Sequence, residues 1–325
     1  MKTSPKKDME FLRRKRKINY DYYETPMALV EVFKGVLRKY QNKSAVYIDP
    51  AIGDGRLFNV FPKNPRNIGI DIDTKRVDKL KSSLKKIENV DFLKYKLPKN
   101  LQTNMVVVAG NPPFSDRSGK NLYIKFIQHA LSFANLCVFI LPLSVKRWSA
   151  MDQIVKGVSY NIRCVKHIDV PDDCYVFSDY KDNEKIVKIC IQVWARDGKI
   201  QNLPKIDKIA RDFRLYSKSD SLPRGISPDF YIRRVGTKGG VGCVYKNSEL
   251  FGKNNPGADY AVVCNKGVNY VYKNLMNLHK NMKFKDAIED RFSTSFPSLT
   301  KNDIYHIYNN KSYPRFEDYV DVIGS

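Results

Sequence analysis

Between Ala45 and Trp194, short apolar runs alternate with segments of helical period, and this alternation constrains the fold more than any other property of the chain. Ala45-Val46-Tyr47-Ile48, Asn67-Ile68-Gly69-Ile70-Asp71, a short run ending near Asp91, Met105 to Gly110, Leu136 to Leu141, Val165 to Val170 and Ile186 to Trp194 read as strands. Thr74 to Lys86, Leu122 to Phe133 and the stretch near Ala150 to Lys156 read as helices. Ahead of them, Thr25-Pro26 opens a helix with Leu29, Val30, Phe33, Val36 and Leu37 on one face, since proline is favoured at a helix start. Strands separated by helices predict an α/β fold: a mostly parallel seven-stranded sheet flanked by helices, with ligand-binding turns at the strands' C-terminal ends. After Ala195 the texture turns rich in Tyr, Lys, Asn and Gly, with hairpin-like stretches at 231–235 with 241–245 and at 260–264 with 270–272. The expected organisation is therefore a basic arm at 1–19, an α/β domain at 20–197 and a smaller α+β domain at 198–325.

Lysine and arginine exceed aspartate and glutamate by 23, which favours a polyanionic partner, nucleic acid first, because phosphate neutralisation releases counterions. Six cysteines lack any Cys-x-x-Cys pair and read as reduced packing residues. Four scattered histidines give no zinc spacing, so no metal is expected. The N-terminal stretch has no apolar core of the signal-peptide kind, and 130–145 is too short and broken to span a bilayer, so a soluble intracellular protein with no membrane partner is expected.

Two motifs carry chemistry. Asp49-Pro50-Ala51-Ile52-Gly53-Asp54-Gly55 turns the chain from the first strand toward a helix, and its glycines let an adenosine-bearing ligand approach the main chain. Asp71 ends the next strand, where a carboxylate can accept both ribose hydroxyls. Asn111-Pro112-Pro113-Phe114 follows the apolar run directly. Its two prolines stiffen the turn and lack N–H donors, leaving carbonyls to accept from another partner such as an exocyclic amine. Singly, each residue has an ordinary structural role as well: Asp49 as a cap, Asp71 as a turn residue, Asp91 capping a turn, Phe92 in the core.

Thr25-Pro26, Asp49 to Gly55, Asp71-Ile72-Asp73, Asp91-Phe92 and Asn111 to Phe114, in that order, resemble the gamma class of S-adenosylmethionine-dependent DNA adenine N6 methyltransferases. The resemblance covers roughly residues 20–195 and departs from the family at Ile52 and Asp54. It implies a Rossmann-like methyltransferase fold that binds S-adenosylmethionine and releases S-adenosylhomocysteine. Thr25 and Pro26 would close over the methionine end, and Asp49, Ala51, Gly53 and Gly55 would lie near the amino-acid moiety. Asp71 would meet the ribose, Ile72 beside it would also lie at the cofactor, and Asp91 with Phe92 would lie against the adenine ring. Asn111, also beside the cofactor, and Pro112 would accept the target amine's hydrogens, with Pro113 stiffening the turn and Phe114 stacking on the base.

Similar tetrapeptides occur in enzymes acting on adenosine in ribosomal RNA or beside a messenger cap, on guanine N2 and on a release-factor glutamine. The basic second domain favours nucleic acid over a protein loop, DNA ahead of RNA. Arg211, Arg214, Arg233, Arg234 and Lys238 are its candidate phosphate contacts, with Tyr231 and Tyr245 as stacking surfaces. A non-catalytic nucleic-acid-binding subunit is the remaining alternative.

Overall fold

The structure is a computed structural model that describes residues 24–84, 86–102, 105–116, 121–178, 184–236, 240–246, 258–288 and 298–323. The expected basic arm and Lys238 lie outside the described residues. The described residues divide into two units, one drawn from Met1–Pro142, Gln153–Gln201 and Asp321–Ser325, the other from Leu143–Asp152 and Asn202–Val320. The sequence placed a single boundary at 197; the chain passes into the second unit at Leu143–Asp152, back into the first for Gln153–Gln201, into the second again from Asn202, and returns to the first at Asp321. The helix Trp148–Lys156, taken below with the first unit, therefore has its N-terminal part in the second.

The first unit opens with α1 (Met27–Lys39), whose apolar face buries Leu29, Val30, Phe33, Val36 and Leu37. Each such side chain contributes about 1.5–3 kcal/mol of burial. β1 (Val46–Asp49), β2 (Ile68–Asp71), α2 (Thr74–Leu80), β3 (Ile87–Asn89), β4 (Val106–Gly110), α3 (Leu122–Phe133), β5 (Leu136–Pro142), α4 (Trp148–Lys156), β6 (Arg163–Asp169), β7 (Val176–Ser178), β8 (Glu184–Ile186) and β9 (Ile189–Ala195) follow. β7 and β8 pair only with each other. The main sheet has the order β6-β9-β5-β4-β1-β2-β3, with β9 antiparallel to both neighbours and the other pairs parallel. These seven strands form a Rossmann-like, doubly wound α/β sheet. β1, β2, β4 and β9 are buried at every position, as strands covered on both faces must be.

Three local differences from the sequence reading have physical causes. First, no α-helix follows the glycine turn; a single 3₁₀ turn, Phe58–Val60, stands there. Pro62 drives Phe61 to an extended conformation (φ −66°, ψ 150°), which ends any helix before it starts. Second, α2 stops at Leu80, short of the expected Lys86. Third, a two-residue strand near the C-terminus, numbered below as β14, pairs in parallel with β6 and adds an eighth strand to the sheet.

The second unit is α+β. β10 (Phe213–Tyr216), β11 (Phe230–Arg233), β12 (Val244–Tyr245) and β13 (Asp259–Cys264) form an antiparallel sheet of order β10-β13-β11-β12. α5 (Val268–Lys280), α6 (Lys283–Asp286) and α7 (Lys301–Asn310) follow, before the chain returns to the first unit as β14 (Val322–Ile323). Thr300 and Asp303 cap α7 reciprocally. Phe213, Phe230, Leu275, Phe284, Ile304 and Ile307 share one core. β11 and β12 pair as the sequence suggested, but Tyr270–Tyr272, expected as a strand, lies within α5. Val271, Leu275 and Leu278 recur at helical spacing and are buried, and that period overrides the aromatic run.

Candidate active site at the strand ends

In the sheet order, β1 and β4 are neighbours from which successive strands run in opposite directions, and ligands in such sheets bind beyond the strand ends at that reversal. Asp49 ends β1 and Gly110 ends β4. A side chain at Gly110 would place its Cβ 2.7 Å from Asp49 Oδ1, so only glycine lets the two strand ends meet around this carboxyl. Asp49 is 1% exposed, and its Oδ1 accepts from the Ala51 amide at 3.1 Å. Burial pushes its pKa up to about 8; nearby Asp71 and Asp54 add to the rise and the Ala51 amide opposes it.

The glycine turn is tied to β2 at three points, the first being the Ile52 amide, which donates to the Ile70 carbonyl at 2.8 Å. Gly53 (φ 57°) donates its amide to Asp71 Oδ2 at 3.0 Å, and Ile52 lies against Gly69, where an added Cβ would sit 2.2 Å from Ile52 Cδ1. Gly55 also has positive φ, 86°. Asp71 Oδ1 accepts from the Asp73 amide at 2.9 Å, and the Asp71 carbonyl accepts from Asn89 Nδ2 at 3.0 Å. Burial raises the Asp71 pKa, against the pull of these amides. Beside this fixed carboxylate, Ile72 is 47% exposed, an apolar surface at the end of β2.

Asp91 and Phe92 separate in role. The Asp91 side chain accepts from the Leu93 amide at 3.0 Å and caps a 3₁₀ turn. The Phe92 ring is buried, with centroids 5.1 Å from Phe126 and 5.0 Å from His129, so it packs on α3. The same surroundings lower the His129 pKa, chiefly through burial.

Asn111 leaves β4 and donates from Nδ2 to Thr25 Oγ1 at 3.3 Å. Its Oδ1 is buried without a hydrogen-bond partner among the described residues. An unpaired buried acceptor costs about 1–3 kcal/mol, so such an atom calls for an explanation. Pro112 is buried, Pro113 half-buried, and half-buried Phe114 packs against the core that includes Leu29 and Phe33. The Phe114 carbonyl accepts from Leu122 at 3.0 Å and Ser115 bridges Asn121, which fixes the two ends of the loop.

The structure adds a residue that the sequence reading missed. Arg56, next after the glycine turn, donates from Nη1 to the Thr25 carbonyl at 3.1 Å and from Nη2 to Glu24 Oε2 at 2.7 Å, while Nε sits 2.7 Å from Asp54 Oδ2. One guanidinium thus joins the glycine turn to the segment that carries Thr25, and Thr25 carries the bond to Asn111. Nothing local in the sequence signals it, because Glu24 and Arg56 are 32 residues apart.

The arginines of the second unit do not form one cluster. Arg233 is bonded to Asp259, which is 2% exposed, and lies over the Tyr245 ring. Arg234 lies over the Tyr260 ring, 5.3 Å from its centroid. Arg214 folds back onto the carbonyls of Ala210 and Phe213, and Arg211 is exposed. Arg214 pairs with Val263 and Arg233 with Asp259, which sets them about 13 Å apart along β13. Tyr231 and Tyr245 stack on each other, ring centroids 5.8 Å apart.

All six cysteines are free thiols; Cys137, Cys164, Cys174 and Cys190 are buried, Cys243 and Cys264 half-buried. Among the described residues, no group of three or more His, Cys, Asp or Glu is placed to hold a metal, and no helix is long and apolar enough to cross a membrane.

No family model matches the chain, and no curated protein matches it. Among solved structures it is similar to a Listeria monocytogenes protein assigned as a class I S-adenosylmethionine-dependent methyltransferase, with 16% identity over 61% of this chain and 69% of that one, TM-score 0.42. It is similar also to a Pyrococcus horikoshii protein assigned as an RNA methyltransferase, with 14% identity over 54% and 87%, TM-score 0.42. The 23S rRNA methyltransferase ErmE gives 13% identity over 54% and 70%, TM-score 0.38. The strand order, and not these scores, defines the fold.

Proposed function

We propose that the chain is an S-adenosylmethionine-dependent methyltransferase acting on the exocyclic N6 amine of adenine in nucleic acid. The observation that carries this reading is the Asn111 Oδ1 atom, buried and unpartnered beyond the end of β4, adjacent to the strand that ends in Asp49. An amine hydrogen is the partner such an acceptor lacks.

The residues present suit the cofactor. Asp71 offers a carboxylate already oriented by two amides, suited to a ribose diol, and Ile72 an exposed apolar face suited to an adenine ring. Phe92, spent on α3, leaves Asp91 as the contact its segment can offer. Asp49, its pKa pushed up to about 8, can ionise to meet a cationic ligand, and Gly53 and Gly55 let the main chain approach one. Thr25 and Pro26, held by Arg56, border the same site. When bound, S-adenosylmethionine supplies an electrophilic methyl group on a sulfonium.

The chain's own work is positioning and polarisation. Asn111 Oδ1 and the Pro112 carbonyl each accept a hydrogen of the target amine, which draws the nitrogen lone pair out of conjugation. Thr25 fixes the Asn111 amide by accepting from its Nδ2, so Oδ1 is the atom left to point at the amine. Phe114 stacks on the base, and Pro113 keeps the turn stiff. A target in a duplex must first leave the stack, at a cost of a few kcal/mol.

Purified protein, labelled S-adenosylmethionine and separate DNA and RNA pools, followed by nucleoside mass spectrometry, test the reading. Label in N6-methyladenine is expected, and the labelled pool names the polymer. Label confined to guanine, or absent from both pools, would overturn it.

A further inference from the structure

We infer that the solvent face of α5 is a contact surface for the phosphate backbone of nucleic acid. The inference rests on the reading above that nucleic acid is the substrate, and it assigns the contact to side chains other than the arginines the sequence singled out.

Residues 260–285 contain Lys266, Lys273, Lys280, Lys283 and Lys285 and no aspartate or glutamate. Lys273 and Lys280 are seven residues apart in α5, nearly two helical turns, so they stand on one side of it about 10 Å apart, and Lys266 comes just before the Gly267 cap at the helix's N-terminal end. All three are exposed, and none forms an ion pair with a described residue. Between them on the same side stand Tyr270, 51% exposed, and the exposed Asn277. Lys266 Nζ lies 4.5 Å from the Tyr270 ring centroid. A cation, an open aromatic face and an amide in one row match a phosphate chain with bases beside it.

At the N-terminal end of α5 the charge placement runs against helix stability, whereas Lys280 in the last turn suits it. The first turn of α5 has no acidic residue, its Gly267 cap makes no side-chain bond, and Lys266 stands at that positive end. An anionic partner relieves this arrangement. A membrane surface fits less well, because the apolar side of α5, Val271, Leu275 and Leu278, is consumed by the core, and a helix lying in a bilayer interface needs that side free.

The test uses the full chain with labelled duplex and single-stranded oligonucleotides over a range of salt. Replacing Lys266, Lys273 and Lys280 by glutamine should weaken binding and flatten the slope of log affinity against log salt by about 3 for duplex. Tyr270→Ser should weaken single-strand binding by about 5- to 150-fold. Cofactor affinity, measured by calorimetry, should stay at the parent value for all variants. Unchanged nucleic-acid affinity and salt slope in the triple variant would overturn the inference. So would parent protein that binds poly-glutamate or anionic phosphatidylserine vesicles as tightly as nucleic acid. Binding through α5 without methyl transfer to any pool would leave this surface standing and remove the proposed function instead.

Discussion

The two units handle buried charge in opposite ways. At the strand ends of the first, buried Asp49 has no ion pair with a described residue and buried Asp71 has only a long one, to Arg76 at 4.0 Å, while backbone amides supply the hydrogen bonds. In the second, buried Asp259 is closed off by Arg233, and Tyr245 covers that arginine. A carboxylate neutralised by its own chain has nothing left to offer a ligand, whereas one held mainly by amides keeps acceptor capacity and can ionise when a cation binds. Burial without neutralisation therefore marks a site, and burial with neutralisation marks scaffold.

The largest effect expected from this contrast is at Asn111. Replacing it by alanine removes the side-chain acceptor aimed at the target and should lower turnover by about 10²–10³, with S-adenosylhomocysteine affinity little changed. Steady-state rates beside calorimetry decide it; near-parent turnover would break the assignment of the first unit as the site.

Next in size is Arg233, where the two units should part company. Arg233→Ala strands the Asp259 carboxylate and should cost about 2 kcal/mol of stability, less than a fully buried pair would because the arginine is partly exposed. Urea unfolding measures this directly. A loss of nucleic-acid affinity with no loss of stability would contradict a scaffold role and return Arg233 to the contact surface.

The sequence made the first unit more legible than the second, for a physical reason. β1, β2, β4 and β5 are short, uninterrupted and apolar, so their period admits one reading, and the groups at their ends stand next in the sequence. The arginines of the second unit are equally visible as charge, yet whether each is spent depends on partners such as Asp259 and Tyr260, which come from a strand more than twenty residues away. Tyr270 shows the same limit: an aromatic run suggested a strand, and only the spacing of Val271, Leu275 and Leu278 revealed a helix. Phe92, motif-like in its place after a strand, was claimed by Phe126 and His129.

A smaller effect, read as a pH dependence, sharpens the idea of burial without neutralisation. The folded pKa of Asp49, about 8, lies above the ordinary aspartate value. The folded state thus holds the proton more tightly than the unfolded chain, and the stability this contributes is full below about pH 4 and lost as pH rises through about 8. Asp49→Asn keeps the acceptor for Ala51 and should abolish this loss, so the urea midpoints of parent and variant should diverge as pH rises from about 4 and run parallel above about 8. A cationic ligand favours the ionised form, so its affinity should rise with pH by up to about tenfold per unit and level above 8, and the variant should show no such slope. Parallel pH profiles for the two proteins would mean that Asp49 is neutralised after all.

The smallest expected effect is at Arg56, and it asks whether the site is held as one piece. Arg56 touches neither Asn111 nor Asp71; it joins Asp54 in the glycine turn to Glu24 and to the Thr25 carbonyl, and Thr25 orients the Asn111 amide. A positioning residue of this kind should act on kcat through the Asn111 geometry while the acceptors for the cofactor stay in place. Charged hydrogen bonds are worth about 1.5–3 kcal/mol when shielded, and a side chain 35% exposed should yield less, so Arg56→Met should lower kcat about fivefold. Arg56→Lys keeps the charge but loses the fork that spans Glu24 and Thr25, and should restore only part of the rate. S-adenosylhomocysteine affinity and the urea midpoint separate this from a general loosening. If both fell in step with kcat, Arg56 would be an ordinary surface brace, and the link from glycine turn to catalytic turn would have to run through the sheet alone.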